Sequence, residues 1–499
     1  MSAEERAIRS LCVVGAGIVG LSAALAFSRA LPDVRVRLIA TPPDPFALAD
    51  RIGLSLPAIH VFHAAIGLDE LQLVREGIAF HHLGTTFEGW TVDGSTWRHV
   101  FGEYGLAASG VPFHQIWSRL RRSRQAEPFD RYAAAALLAE ADKFVHPQED
   151  SRSPLSTYLY GLRLDPEAYR ARLASEAGKI GIEIVEGVFA GVDRRQDGGV
   201  AAVRLAGGQS IEADLFLDCA GPSAPLRSLI DDEFEDWADY LPCDRFTLGA
   251  PAPPAAPLPA DRVKAVDEGW LWVSTLPTRV ETGMAWNSDV TSEADAVSRL
   301  ESECQVAAAE VAVIRTGRRP APWKHNVLAL GDSAVVGDPL YGPGLYLAQS
   351  FILRALELLP GRDCHPLELR EFNRRTALQT ARLRDFQSLH YLRCGRTDGE
   401  FWAWASNRIV SDDLARTLDQ YESRGRLPFY EEESFDAQSW LAVLAGLERL
   451  PEMIDPASDR VDLDQARQKM REYAARLASL PAGLPSYPDY LRRMADRPS

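Results

Sequence analysis

The chain has 499 residues, enough to bury a large core and to hold two intimately packed domains. Its formal net charge of −16 excludes a nucleic-acid partner, since phosphates call for a basic surface, and leaves small molecules or a neutral to basic protein partner. The six cysteines (Cys12, Cys219, Cys243, Cys304, Cys364, Cys394) lie far apart with no CxxC spacing, so they read as buried free thiols in a reducing compartment rather than a disulfide framework or a metal site.

In chain order the first predicted element is the most informative. Leu11 to Arg29 reads LCVVGAGIVGLSAALAFSR: a short apolar strand, a turn carrying Gly15, Gly17 and Gly20, then an alanine-rich helix. This is the first turn of a dinucleotide-binding βαβ unit. Gly15 permits the tight turn, Gly17 lets a pyrophosphate approach the backbone, and Gly20 lets helix and strand pack closely. The helix N-terminus then offers free N–H groups and a partial positive charge to the phosphates. A signal peptide or membrane span is the competing reading. It fails because the apolar run is short of the roughly 20 residues a bilayer requires, three glycines break it, and Glu4 and Glu5 spoil a positive flank. With no other such run, the chain reads as soluble and cytoplasmic.

Val34 to Ala40 (VRVRLIA) alternates apolar and charged residues and is the second strand of the unit. Many dinucleotide folds end this strand with an acid on the ribose hydroxyls. Here it ends in Ala40 and Thr41, so Thr41, the slightly later Asp44 or a water takes that task. Helical and mixed patterns follow from about 50 to 150. Leu164 to Gly187 reads as a helix capped by Asp165 and Pro166, then a strand. Ile211 to Leu226 is a buried strand turning at Gly221. A proline-rich connection lies near 250–260, residues 261–320 read as strand-rich, and Asn326 to Ile352 is strand, glycine-rich loop and helix. From about 360 the chain is mostly helical.

Three of these segments form a set: the GAGIVG turn, the strand Asp214 to Gly221, and Gly331–Asp332 followed by Asp338, Pro339, Gly342, Gly344 and Leu345. A carboxylate directly after a strand and a glycine accepts hydrogen bonds from ribityl or ribose hydroxyls. The helix N-terminus that follows faces a flavin ring and stabilises negative charge on it. An NAD enzyme has no need of the third segment. The cofactor is therefore FAD, held by Gly15, Gly17, Gly20, Thr41, Gly331, Asp332, Pro339, Gly342, Gly344 and Leu345. No residue marks a fixed NAD(P)H site, so NAD(P)H acts directly or through a flavin reductase.

These residues resemble the flavin-dependent tryptophan halogenase family, a branch of the FAD-dependent aromatic monooxygenases. GLSLP (Gly53 to Pro57), FGEYGL (Phe101 to Leu106), LPCDRF (Leu241 to Phe246), GWLW (Gly269 to Trp272), DPLYGPGLYLA (Asp338 to Ala348) and FDAQSWLAVLAG (Phe435 to Gly446) look like further family segments. The resemblance implies an α/β fold. It has a Rossmann-like FAD-binding domain of the class A flavin monooxygenase type, a β-sheet substrate domain and a helical C-terminal region. The FAD domain would span 1–360, interleaved with substrate parts at roughly 80–155 and 240–320, and the helical region would follow over 361–499. It also implies that O2 reacts with reduced flavin to give a C4a-hydroperoxide.

The departures from the family bear on the chemistry. Aligning Arg75 to Trp90 puts His82 where the halogenases carry a lysine that handles hypohalous acid, and no lysine precedes Lys143. Tyr341 stands for the family's substrate-side glutamate, and Gly342 and Pro343 for its halide-binding Ser and Thr. Proline offers no donor at its own nitrogen. Without a halide the flavin hydroperoxide delivers oxygen to an electron-rich ring, so the leading expectation is a hydroxylase of an indole or phenol. In it His82 bonds or deprotonates the ring and Tyr341 orients the substrate. His81 is the rival of His82, and strand packing explains either equally well; plain packing also accounts for Tyr341. Trp270 and Trp272 share one strand face, as core or as a substrate-pocket wall.

The resemblance extends to the branch that hydroxylates a protein tryptophan while the cysteine tryptophylquinone of quinohaemoprotein amine dehydrogenase is made, which implies a tryptophan-bearing protein substrate. Three rivals stand beside it. One is a halogenase that borrows Lys143 or Lys324, another a small-molecule aromatic hydroxylase. The third is a flavin-binding assembly factor without catalysis.

Overall fold

The computed structural model describes residues 7–42, 44–396 and 398–496. The chain forms two compact units, each assembled from three segments: Met1–Ala79, Leu162–Ala238 and Val313–Ala381 in the first, and Phe80–Gly161, Asp239–Ala312 and Arg382–Ser499 in the second.

The first unit is built on a six-stranded sheet in the order Trp323–Lys324, Val327–Ala329, Leu215–Asp218, Ser10–Val14, Arg35–Ile39, Glu183–Val185. All neighbours are parallel except the hairpin of the first two. Parallel strands are covered on both faces, which explains why LCVV and LFL run apolar without alternation and why residues 11–14 and Leu215–Asp218 are buried throughout. The helix Ile18–Ala30 buries ten consecutive residues from Ile18 to Phe27, and its small alanines allow that close approach. The expected cap is present on Pro166–Lys179: Ala168 N–H donates to Asp165 Oδ1 at 3.0 Å, with proline in the first turn.

The segment read as one strand from Ile211 is two. Ser210–Glu212 pairs with Val200–Leu205 in a separate three-stranded sheet, and only Leu215–Asp218 enters the main sheet. Asp214 marks the break. Its Oδ2 accepts the N–H groups of Arg9 and Ser10 at 2.8 and 3.0 Å, which ties down the start of the first strand. The chain then turns at Gly221, whose φ is +95°. Asp218 closes that turn by accepting from Leu226 N–H and Arg227 N–H at 2.9 and 2.7 Å.

The second unit carries six adjacent strands of a seven-stranded sheet: Arg245–Leu248, Val280–Trp286, Gly269–Thr275, Asp261–Val266, Gly84–Glu88 and Thr96–Val100. They are antiparallel except where Asp261–Val266 runs parallel to Gly84–Glu88. The strand-rich reading of 261–320 misses a helix, Glu293–Cys304. Ser292 caps it through Asp295 N–H, and Ala296 and Leu300 pack on Leu271, Met284 and Trp286. Only two of its twelve residues are fully buried, so its apolar periodicity is faint. Further capped helices, Asp412–Arg424, Ala437–Gly446 and Leu463–Ser479, start at Ser411, Asp436 and Asp462. Pro366–Leu392 is one 27-residue helix. No helix among the described residues is long and apolar enough to cross a membrane.

Candidate active site

The first unit holds the nucleotide turn. Gly15 N–H donates to Ile39 O and Ala16 N–H to Thr41 O, both at 3.2 Å, so the turn hangs on the end of the second strand. Gly15 has φ +109°, and a Cβ there would lie 2.6 Å from Cys219 O. A Cβ on Gly20 would drive into the Gly15 carbonyl, with the carbonyl carbon at 2.9 Å. Both positions are therefore closed to any side chain. Gly20→Ala is expected to yield protein that retains no flavin and whose urea midpoint falls by the equivalent of about 3 kcal/mol, read by absorbance and denaturation.

Whether a flavin dinucleotide suits this cradle is decided by its unmatched polar atoms. The Thr41 hydroxyl is buried and makes no hydrogen bond among the described residues, as a ribose-facing group requires. Asp44 instead turns back on its own loop, accepting Phe46 N–H at 2.9 Å, and lies against Gly221. Asp332 is buried. Its Oδ2 accepts Ala49 N–H at 3.2 Å while Oδ1 has no hydrogen-bond partner among the described residues. Burial pushes the Asp332 carboxyl up to about 7, and the carboxylates of Asp50 and Asp44 add to the effect. An acceptor left bare beside a glycine-lined turn fits the hydroxyl-rich chain of FAD.

Gly331, Pro339, Gly342, Gly344 and Leu345 are all buried around the start of the helix Gly344–Glu357, as is Asp338, which accepts Leu340 N–H at 3.0 Å. Gly344 and Asp332 meet: a Cβ on Gly344 would lie 3.3 Å from Asp332 Oδ1. Tyr341 is buried with φ +67°, an uncommon conformation for an aromatic residue and one that marks a constrained loop. Gly342 N–H is already bonded to Pro339 O at 2.8 Å, and Pro343 has no N–H. Neither residue offers the donor that its Ser or Thr counterpart would give a halide. The GLSLP segment is fastened nearby: Ser55 N–H donates to Leu162 O at 3.0 Å, and Ser55 Oγ accepts Leu162 N–H at 2.8 Å.

Sequence reasoning missed Asp50. Its Oδ1 accepts Ile18 N–H at the start of the nucleotide helix, from 32 residues away, and its carboxylate lies against Gly17. Its environment is buried, which raises its pKa, opposed by the Ile18 bond and Arg170. No local pattern announces a cap supplied from outside the helix.

In the second unit the histidine pair separates. On the strand Ala79–His82 successive side chains face opposite ways. His81 stacks on Phe144 (ring centroids 3.9 Å apart), and Tyr487 OH lies 2.8 Å from its N–H and 3.1 Å from Nδ1. His146, Tyr160 and Tyr490 complete that aromatic cluster. His82 is buried elsewhere, with its ring 5.9 Å from Phe101. Phe101 also meets His99, at 5.7 Å. Burial pushes His99 down to about 3, with His390 and His82 adding to it, so His99 stays neutral. His99 was not foreseen, because the stretch from about 50 to 150 read only as helical and mixed, and the strand Thr96–Val100 that buries it was not picked out.

Trp270 and Trp272 are both buried, 5.6 Å apart, on one face of their strand. Trp272 lies over Gly283 of the neighbouring strand, where any side chain would strike its ring. Trp270 Nε1 is buried without a hydrogen-bond partner among the described residues. The two rival lysines are engaged: Lys143 donates to Leu484 O, and Lys324 to Asp231 Oδ2 at 2.6 Å.

The parallel sheet, glycine turn and bare acceptors define a flavin-binding α/β protein. The family described as tryptophan halogenase matches residues 10–463, and the chain belongs to it. Tryptophan 7-halogenase KtzQ of Kutzneria sp. (strain 744) is 27% identical, over 98% of this chain and 99% of that protein. Tryptophan 7-halogenase RebH of Lentzea aerocolonigenes is 25% identical with the same coverage. Among solved structures, BrvH, a flavin-dependent halogenase from Brevundimonas sp. BAL3, superposes with TM-score 0.91 at 30% identity, over 98% of this chain and 99% of that one. Xcc4156, a flavin-dependent halogenase from Xanthomonas campestris, gives 0.91 at 27% identity, over 99% and 100%. The fold is that of the flavin-dependent halogenases, and the cofactor is FAD, used with O2 and with reduced flavin drawn from NAD(P)H through a reductase. These relatives are named for halogenation, so they favour that chemistry over the hydroxylation expected from the sequence.

Proposed function

We propose that this chain halogenates an electron-rich aromatic ring of the indole class. The observation that carries the reading is the match along nearly the whole chain to proteins named as tryptophan halogenases. Bound, reduced FAD supplies the electrons that activate O2. The rest falls to the chain's own residues. Gly15 holds the tight turn, Gly20 lets helix and strand pack closely, Gly17 lets backbone approach the pyrophosphate, Thr41 and Asp332 accept or donate to the cofactor hydroxyls, and the start of Gly344–Glu357 faces the flavin ring. His82 holds or takes the ring proton where a lysine stands in the resembled enzymes. Trp270 and Trp272 supply flat apolar walls for an aromatic substrate.

A second reading, hydroxylation of a tryptophan ring, is favoured by one specific feature. Gly342 has its N–H committed to Pro339 and Pro343 has none, so this loop provides no donors for a halide. In that reading a tryptophan-bearing protein matured to a quinone cofactor is the substrate. Mass spectrometry separates the two. The full chain is given FAD, NAD(P)H with a flavin reductase, O2 and bromide, and is offered tryptophan, indole and tryptophan-containing peptides. A bromine isotope doublet supports halogenation; a gain of about 16 Da per oxygen without the doublet replaces it with hydroxylation.

A further inference from the structure

The nucleotide helix Ile18–Ala30 begins at Gly17, which has no side chain with which to cap it. Asp50, in the short turn Leu48–Asp50, supplies the missing acceptor: its Oδ1 takes Ile18 N–H. A Cβ built on Gly17 would lie 2.7 and 2.8 Å from Asp50 Oδ1 and Cγ. The opening that a glycine here leaves for a close approach to backbone is thus filled by a carboxylate of this same chain. A phosphate bound at the turn would seek the same N–H, and the same partial positive charge of the helix end. Two more acids face this region, Asp44 from the same loop and Asp332 from the loop before Gly344–Glu357. Arg170 and the buried Cys219 thiol complete the ionisable surroundings. The bare Thr41 hydroxyl and Asp332 Oδ1 independently mark the place as one that receives a ligand.

We infer that Asp50 is the residue that sets this chain's affinity for the dinucleotide: it holds the helix start by standing in for a phosphate, and FAD must displace it to bind. The inference rests on the FAD assignment. Two consequences follow from the chemistry. The opposition depends on negative charge, so it falls on the pyrophosphate and not on the isoalloxazine ring. A neutral acceptor of similar size would keep the helix capped while removing the repulsion.

The test is binding of FAD and of riboflavin, which lacks phosphate, to the full-length protein, read by flavin fluorescence. Wild type is compared with Asp50→Asn and with Asp50→Ser, the latter a short neutral cap that serves if the amide disturbs folding; melting temperatures of the flavin-free proteins check the fold. FAD is expected to bind about tenfold more tightly to the variants, with riboflavin affinity changed less than twofold. An unchanged or weaker FAD affinity overturns the inference, the weaker case making Asp50 a cofactor ligand. Equal tightening of FAD and riboflavin also overturns it, since charge on the phosphates would then not be what Asp50 opposes. If FAD binds neither wild type nor variants, the flavin assignment itself falls and takes the inference with it.

Discussion

Replacing His82 with Phe is expected to lower turnover by a hundredfold or more while leaving FAD affinity within twofold of wild type. The flat ring keeps the volume and the packing against Phe101, so the loss isolates the imidazole nitrogens. Positioned proton transfer contributes roughly 10²–10⁴-fold in enzymes of known mechanism, equivalent to about 3–5 kcal/mol of barrier. FAD affinity serves as the internal control, because every residue assigned to the cofactor belongs to the first unit and His82 to the second. A companion substitution, His82→Lys, restores the side chain implied by the family resemblance. It is expected to raise brominated product relative to His82→Phe if the chain is a halogenase, and to leave product at the level of His82→Phe if it is a hydroxylase. His81→Phe is the counter-test. His81 is stacked on Phe144 and bonded to Tyr487, so its loss should lower stability and leave the rate per folded molecule nearly unchanged.

What could be read in the sequence and what could not differ for a physical reason. The nucleotide turn was legible because three glycines, a short apolar strand and a helix start are all local demands of one backbone path, and the structure returns them at Ser10–Val14 and Ile18–Ala30. The Asp165 cap was legible likewise, since the capping acceptor and the N–H it receives lie three residues apart. Asp50 was not, because its N–H partner is 32 residues away and nothing in LADRIG announces a cap for another helix. The helix Glu293–Cys304 escaped because it turns only a narrow apolar stripe, Ala296 and Leu300, to the sheet beneath it. The difference between His81 and His82 could not be read either. Strand alternation says that they face opposite ways, not which of the two faces holds Phe144 and Tyr487. Family resemblance supplied the halogenase fold but pointed to hydroxylation through missing side chains. The comparisons weigh the other way, because the similarity runs over the whole chain and not over those few positions alone.

Asp332→Asn is expected to flatten the pH dependence of stability of the flavin-free protein and to make it more stable than wild type above pH 7. The direction follows from the raised carboxyl. In the unfolded chain Asp332 ionises at the ordinary value of 3.8; in the folded protein burial delays ionisation to about 7. A raised acid is held neutral by the fold, so its contribution to stability is intact below about pH 4. It is lost progressively as pH climbs to about 7, and above that the folded state carries an ionised group in a place that disfavours it. A shift of this size corresponds to ~4 kcal/mol between the two ends of the window. Asparagine keeps an acceptor for Ala49 N–H, which Asp332 Oδ2 receives in the wild type, and removes the charge. Urea midpoints at pH 5 and pH 8 check the point: wild type should weaken between them and the variant much less. A parallel fall in both proteins would assign the pH dependence to the general repulsion of a chain with net charge −16 instead. Saturating FAD should narrow the gap between wild type and variant at pH 8. A cofactor hydroxyl donating to the bare Oδ1 stabilises the ionised carboxylate, and the amide nitrogen of asparagine has no lone pair with which to replace it. The carboxylate is thus expected to be a liability in the empty protein and an asset in the loaded one.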